Sequence, residues 1–156
     1  MLSHGITMLK ITIDTNVIAE EDSSTLAYLL DAHQSGIIDV AVPYHFKLDK
    51  ARDLDSFRIE RQKRIVERFS ILRSAFVLDA DSLGDKNVMF VEDELFQQLF
   101  CLFNIDTNTR GGVNSRNDVS HMYSHLMYGR DVFLTVDKMC LNKRAILKEV
   151  GVNLAH

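Results

Sequence analysis

The stretch Leu9-Lys-Ile-Thr-Ile-Asp-Thr-Asn16 sets the predicted fold, because β-branched residues in it give way abruptly to a polar turn. Residues 9–13 alternate between apolar and polar side chains, which predicts a β-strand. The acid that ends this strand, Asp14, is the first candidate functional residue. In a parallel sheet, sites form at the carboxyl ends of the strands.

Strands and helices alternate along the rest of the chain. Further strands are predicted at residues 37–42, 76–79, 131–136 and 152–154. Helices are predicted at 23–34, 46–74, 88–103, 118–128 and 141–149, with one long loop at 104–117. This order predicts an α/β fold: three α/β/α layers around a mostly parallel sheet of about five strands. A length of 156 residues suits a single domain over residues 1–156, in which 1–8 form a short extra N-terminal segment.

The composition indicates a soluble, cytoplasmic protein with no membrane partner. The chain has no apolar run of about 18 residues and no apolar signal segment at its N-terminus. Its two cysteines, Cys101 and Cys140, lie in apolar contexts, which predicts buried, reduced thiols.

The charge distribution leaves two interpretations open. A net charge of −4 is not typical of a basic nucleic-acid binder, yet half of the 18 basic residues fall between Lys47 and Arg73. This stretch is either a solvated helix face with ion pairs or a ridge that contacts phosphates.

Four carboxylates are expected to converge on one edge of the sheet. Asp14 and Asp137 each follow a strand, Asp118 opens the helix that leads into the fourth strand, and Asp49 lies just beyond the second strand. Their mutual repulsion is costly unless cations bind between them. Oxygen ligands suit Mg²⁺ or Mn²⁺, and such ions activate water or clamp a phosphodiester.

Three segments together resemble the PIN domain family. Ile11-Thr-Ile-Asp-Thr-Asn-Val-Ile18 is similar to its opening strand, in which a hydrophobic strand runs into Asp-Thr-Asn. Asn117-Asp-Val-Ser-His121 resembles its third-acid helix, and Phe133-Leu-Thr-Val-Asp137 resembles its fourth-strand signature, Thr-x-Asp. The segments follow the family's order, and the resemblance covers nearly the whole chain from about Met8.

The resemblance implies a PIN-like, Mg²⁺- or Mn²⁺-dependent endoribonuclease that hydrolyses single-stranded RNA. Asp14, Asp118 and Asp137 would ligate the metal, and Asp49 would assist as the fourth catalytic acid. Many members are toxins of toxin–antitoxin pairs, so the resemblance also implies a small antitoxin protein and a homodimer as partners.

Substrate contacts are expected from four further residues. In the family pattern, Asn16 and Thr135 would orient the carboxylates or contact the RNA. Arg110 and Arg116, in the predicted long loop, are candidates for phosphate contacts, although simple solvation explains them equally well.

The chain departs from the family at two acids. Asp49 stands where the family normally has Glu, and Cys140 stands near the place where another acid often follows Thr-x-Asp. These departures keep an alternative open: a non-catalytic PIN-like module that binds RNA or protein and has a degenerate metal site.

Two further alternatives are less favoured. Asp118, His121 and His125 share a helix face and could bind zinc, but a third strong ligand is missing, and His125 is expected to be a partly buried or surface imidazole. A phosphatase on a doubly wound sheet usually needs Asp-x-Asp, whereas this chain has Asp14-Thr-Asn16.

Overall fold

The computed structural model describes residues 7–19, 24–44, 56–75, 88–89, 94–103 and 110–156. Its strands are β1 (Leu9–Ile13), β2 (Ile38–Pro43), β3 (Ser70–Leu72), β4 (Ser74–Ala75), β5 (Val88–Met89), β6 (Val132–Leu134) and β7 (Leu154–Ala155). Its helices are α1 (Thr15–Ala19), α2 (Ser24–Gln34), α3 (Ser56–Val66), α4 (Glu94–Leu102), α5 (Arg110–Met127), α6 (Lys138–Asn142) and α7 (Arg144–Glu149). Among these, no helix combines the length and apolar character needed to cross a membrane.

Five strands form one all-parallel sheet in the order β3-β2-β1-β6-β7. The strand β1 lies at its centre, where Ile11 pairs with Val40 on one side and with Val132 on the other. The chain builds outward from β1 to β3 and then returns to add β6 and β7 on the opposite side. The strand order therefore reverses between β1 and β6, and such a switch point is where parallel sheets bind ligands.

Both faces of the sheet are covered, which confirms the predicted three-layer α/β fold. One hydrophobic cluster joins Ile11 and Ile13 to buried residues of α1, α2 and the end of α3. A second cluster joins Phe133 of β6 to buried residues of α4, α5, α6 and α7. Because successive side chains of a strand point to opposite faces, the two clusters lie on opposite sides of the sheet.

The predicted helix at 46–74 is wrong at its C-terminal end. Within the described residues α3 ends at Val66, and β3 and β4 follow at once. Phe69 and Leu72 are both buried, and their spacing of three residues also fits one face of a helix. Parallel pairing of Val42 with Ile71 makes this segment the third strand instead. The strand predicted at 76–79 lies outside the described residues.

The helix α5 begins eight residues before the predicted start, at Arg110. The predicted loop at 104–117 is therefore wrong from residue 110 onward, and Asp118 lies inside the helix instead of opening it; residues 104–109 lie outside the described part. The pair Gly111-Gly112 suggested a loop, since glycine costs about 1 kcal/mol in a helix interior. Here the pair falls in the first turn, whose amides lack intrahelical partners in any helix.

Four smaller differences concern short elements. Residues 15–19 form α1 instead of a plain turn, and Val88–Met89 pairs with β4 as a strand instead of starting a helix. The predicted helix at 141–149 is two helices that meet at Lys143, and the last strand is Leu154–Ala155. Short elements such as these depend on tertiary pairing more than on local propensity.

Candidate metal centre

Asp14 occupies the carboxyl end of the central strand. Its backbone N–H donates to the carbonyl of Leu134 at 2.9 Å, which extends the pairing of β1 with β6 by one residue. Its carbonyl accepts from the N–H of Val17 at 3.1 Å at the start of α1. The residue is only 2% exposed, so the strand end and the helix start together hold a carboxylate inside the protein.

Both oxygens of the Asp14 carboxylate accept hydrogen bonds from nearby donors. Oδ1 accepts from the backbone N–H of Thr15 at 2.8 Å and from its hydroxyl at 3.3 Å. Oδ2 accepts from the hydroxyl of Thr135 at 2.8 Å and from the side-chain amide of Asn16 at 3.4 Å. The two residues expected to orient carboxylates, Asn16 and Thr135, therefore both contact Asp14. The same Thr135 hydroxyl accepts from the N–H of Asp137 at 3.1 Å, so it links two of the predicted ligands.

His121 faces Asp14 from the helix α5. Its Nδ1 lies 3.3 Å from Oδ1 of Asp14, and both side chains are almost fully buried. Burial by itself would raise the pKa of Asp14, but the hydrogen bond and charge of His121, with hydrogen bonds from Thr135 and Thr15, hold the pKa below its ordinary value. The carboxylate is therefore ionised at neutral pH.

Asp118 connects Asp14 with the other predicted ligands. It lies three residues before His121, so both side chains project from one face of α5. Ligand atoms of Asp14, Asp118 and His121 all lie within 4.8 Å of one another, and so do those of Asp118, Asp137 and Cys140. Asp118 belongs to both groups. The three predicted metal ligands, Asp14, Asp118 and Asp137, are therefore brought together through it.

Asp137 is fixed by the helix that follows it. It caps α6, and its Oδ1 accepts from the N–H of Met139 at 2.7 Å. Its side chain is half-buried, as is that of Asp118, whereas Asp14 and His121 are buried. The carboxylates of Asp118 and Asp137 therefore form the solvent-facing side of the cluster.

The first group has the size and chemistry of a divalent cation site. Around an octahedral Mg²⁺ at about 2.1 Å, neighbouring ligand atoms lie about 3 Å apart and opposite ones about 4.2 Å apart. The separations within Asp14, Asp118 and His121, at most 4.8 Å, need only small side-chain adjustments to match. Two carboxylates and an imidazole suit Mn²⁺ at least as well as Mg²⁺, since Mg²⁺ prefers oxygen alone.

Cys140 belongs to the cluster, although no ligand role is predicted for it from the sequence. Burial raises the pKa of its thiol, and the charges of Asp118, Asp14 and Asp137 raise it further against the opposing charge of Lys143. Neither Cys101 nor Cys140 forms a disulfide; the predicted burial is confirmed for Cys140 and wrong for Cys101, which is exposed on α4. The polar face of that short helix carries Cys101 outward.

The other predicted site residues lie wholly or partly outside the described part of the chain. Asp49 lies outside the described residues. Arg110 and Arg116 lie on α5, but their side chains are outside the described part, so their phosphate contacts stay predictions. Within the basic stretch, Arg64 pairs with Glu60 at 3.5 Å and both are exposed, which fits the interpretation of a solvated, ion-paired face.

The expectation that His125 is a partly buried or surface imidazole is wrong, because the residue is completely buried. Its Nδ1 lies 2.9 Å from the hydroxyl of Thr12, and its ring packs edge-on against Phe133. One helical turn separates it from His121, so it faces the middle of β1 instead of its end. It joins neither ligand group found among the described residues, which removes the support for a zinc site built on both histidines.

No protein-family model matches this chain, and no curated protein matches it.

The sequence contains a usable signal for His121 and Cys140, neither of which is among the predicted ligands of the PIN-like metal site. His121 follows Asp118 by three residues, and Cys140 follows Asp137 by three. On a helix, this spacing places two side chains on one face, one turn apart. A search for potential metal ligands three residues after each predicted ligand that lies on or caps a helix therefore finds both His121 and Cys140.

Proposed function

We propose that this protein is a PIN-like, metal-dependent endoribonuclease that hydrolyses single-stranded RNA with Mg²⁺ or Mn²⁺. The observation that carries the proposal is the convergence of Asp14, Asp118 and Asp137 at the switch point of the parallel sheet. Three elements far apart in the sequence supply these acids, at the positions of the three PIN-like motifs. Crowding of carboxylates in a partly buried place is costly without a cation, which supports metal binding there.

The residues of the chain have separate tasks in this proposal. Asp14, Asp118 and His121 hold the cation, and Thr135 keeps Asp14 oriented through its 2.8 Å hydrogen bond. Asp137, on the solvent-facing side, adds a carboxylate next to the RNA and is joined to this group through Asp118. A bound Mg²⁺ or Mn²⁺ would lower the pKa of a water nucleophile and neutralise charge on the phosphoryl oxygens.

The finer parts of the proposal rest on the sequence. The toxin role, the small antitoxin partner, the homodimer and the participation of Asp49 come from the resemblance. The single domain over residues 1–156 and the cytoplasmic location come from length and composition, and the phosphate contacts of Arg110 and Arg116 come from their charge. The endonuclease chemistry itself needs neither the toxin role nor the antitoxin, the homodimer or the cytoplasmic location.

A second candidate is a non-catalytic PIN-like module that binds RNA or protein. One observation favours it: the Asp14 carboxylate already receives hydrogen bonds from Thr15, Asn16 and Thr135, and His121 contacts it as well. An imidazolium at position 121 would balance its charge without a metal.

Cleavage of labelled single-stranded RNA with Mn²⁺, with EDTA and with the Asp118→Asn variant separates the two candidates. Asp118 is the best choice because it is shared by both ligand groups and lies outside the hydrogen bonds described for Asp14. Asp31→Asn, an equivalent change on the exposed face of α2, is the matched control. Cleavage that needs Mn²⁺, is abolished in Asp118→Asn and persists in Asp31→Asn supports the nuclease.

The opposite result also has a clear meaning. Folded protein that binds the RNA but leaves it intact with Mn²⁺ favours the module. Cleavage that persists in EDTA or in Asp118→Asn contradicts the proposed site.

A further inference from the structure

Cys140 places a buried thiol in a cluster whose other members are carboxylates. Its Sγ and a carboxylate oxygen from each of Asp118 and Asp137 lie within 4.8 Å of one another. The residue is 1% exposed and forms no disulfide. Within the described part of the chain, its sulfur also has no hydrogen-bond partner. Cys140 also belongs to the second hydrophobic cluster, yet its sulfur lies close to two carboxylates and has no hydrogen-bond partner among the described residues, so it is available as a ligand atom.

The backbone holds this sulfur in place by two means. Cys140 lies in α6, three residues after the capping residue Asp137, so the two side chains share one face of that helix. The cap hydrogen bond from Met139 fixes the Asp137 carboxylate at 2.7 Å. Asp118 belongs to α5, and its carboxylate lies within 4.8 Å of the other two ligand atoms. Two helices from different parts of the chain therefore supply the three ligand atoms of this group.

The chemistry of this group differs from that of the Asp14 group. Thiolate sulfur is a soft ligand that selects Zn²⁺-like cations, whereas Mg²⁺ and Mn²⁺ prefer oxygen. Around a tetrahedral Zn²⁺, with Zn–S about 2.3 Å and Zn–O about 2.1 Å, a sulfur and an oxygen lie about 3.6 Å apart and two oxygens about 3.4 Å apart. A maximum separation of 4.8 Å allows closure to these values by small side-chain movements. Three protein ligands and one open position are typical of catalytic zinc sites.

We propose that Asp118, Asp137 and Cys140 form a second metal position that is selective for a thiophilic divalent cation of the Zn²⁺ class and shares Asp118 with the Asp14 position. The inference rests on the proposed function in one respect, that the carboxylates of Asp118 and Asp137 face a cation. It adds that the two positions take different metals. Binding through sulfur releases the thiol proton to solvent.

A titration with Co²⁺ tests this directly, because cobalt bound to sulfur gives an intense near-ultraviolet charge-transfer band that oxygen and imidazole ligands do not give. The full chain, Cys140→Ser and Cys101→Ser are compared after reduction and removal of metal. Cys101→Ser is the matched control, since it removes the other, exposed cysteine. The full chain and Cys101→Ser should develop the band, Zn²⁺ should displace it and excess Mg²⁺ should not, and Cys140→Ser should lose it.

A second variant keeps the test independent of the cysteine substitution. Asp137→Asn leaves the sulfur in place but removes one ligand charge, so the band should need a higher Co²⁺ concentration to saturate. Thermal melts establish that each variant is folded. Absence of the band in the folded full chain, or its persistence in Cys140→Ser, overturns the inference.

Failure of this inference and failure of the nuclease proposal give different results. Mn²⁺-dependent RNA cleavage without a cobalt–sulfur band overturns the thiophilic position and leaves the nuclease standing. A cobalt–sulfur band in a protein that cleaves no RNA with any metal supports the thiophilic position and contradicts the nuclease.

Discussion

Replacing Thr135 by valine removes the hydroxyl that links Asp14 to Asp137 and changes little else, because the two side chains have nearly the same shape. The hydroxyl donates to the ionised Asp14 at 2.8 Å and accepts from the N–H of Asp137 at 3.1 Å. A hydrogen bond to a charged group contributes about 1.5–3 kcal/mol, and a buried donor left unpaired costs about 1–3 kcal/mol. Asp137 is half-buried, so water can satisfy part of its loss.

With that correction, Thr135→Val should lower the free energy of unfolding by about 2–3 kcal/mol. In a domain of this size, 1 kcal/mol corresponds to about 2–4 °C in Tm, so the expected fall is roughly 4–12 °C. Urea unfolding and thermal melts of wild type, Thr135→Val and Thr135→Ser measure it. Serine keeps the hydroxyl and should recover most of the loss. Equal stability of the valine and wild-type proteins would refute the bridging role.

The same substitution should weaken Mn²⁺ binding, because a ligand that loses its orienting hydrogen bond binds metal about 10–100-fold less tightly. Titration calorimetry with Mn²⁺ measures this effect separately from stability. An unchanged affinity would mean that Asp14 does not ligate the ion.

Three further predictions concern residues outside the two ligand groups. Burial, aided by the charge of Arg130, lowers the pKa of His125 to about 4. As the pH falls from about 6.5 to 4, the imidazole at position 125 is protonated in the unfolded chain but not in the folded one, so the free energy of unfolding should fall by up to about 3 kcal/mol. Urea unfolding at pH 7 and pH 5 should show a smaller fall in His125→Gln than in the wild type. Equal falls would contradict the lowered pKa of His125. The guanidinium of Arg130 donates to Asp39 at 2.9 Å and to the carbonyl of Ile11 at 2.9 Å. Arg130→Met should therefore lower the free energy of unfolding, measured by chemical denaturation, by about 2–4 kcal/mol. A decrease below about 1 kcal/mol would mean that these hydrogen bonds contribute little to stability. Gly129 has φ +55°, and a Cβ added there would meet no other atom within 4 Å. Gly129→Ala should therefore lower the free energy of unfolding by about 1 kcal/mol through backbone strain alone. An unchanged Tm would contradict this.

Local sequence patterns were sufficient where an element is determined by its own residues. The strand at 9–13 was predicted with its observed bounds, because its alternation and the polar turn after it are both local. Asp14 and Asp137 were selected by the same reasoning, since each directly follows a strand of a parallel sheet.

Patterns failed where distant parts of the chain determine the structure. The strand β3 forms by parallel pairing with Ala41, Val42 and Pro43 of β2. The sequence around residue 70 contains no signal for this pairing, because the partner residues lie about 30 positions earlier in the chain. The contact of His121 with Asp14 and the reach of Cys140 to Asp118 depend on how α5 and α6 pack against the sheet. The spacing of residues along a helix shows which side chains share a face, but only the packing of that helix against the sheet determines which residue each side chain contacts.

In the proposed metal centre, Asp14 and Asp118, supported by Asp137, hold a divalent cation at the switch point of the sheet. An anomalous difference map from crystals grown with Mn²⁺ would locate this cation. We expect a strong peak about 2.1 Å from carboxylate oxygens of Asp14 and Asp118. A well-ordered cluster with no peak at millimolar Mn²⁺, and with His121 still against Asp14, would contradict it.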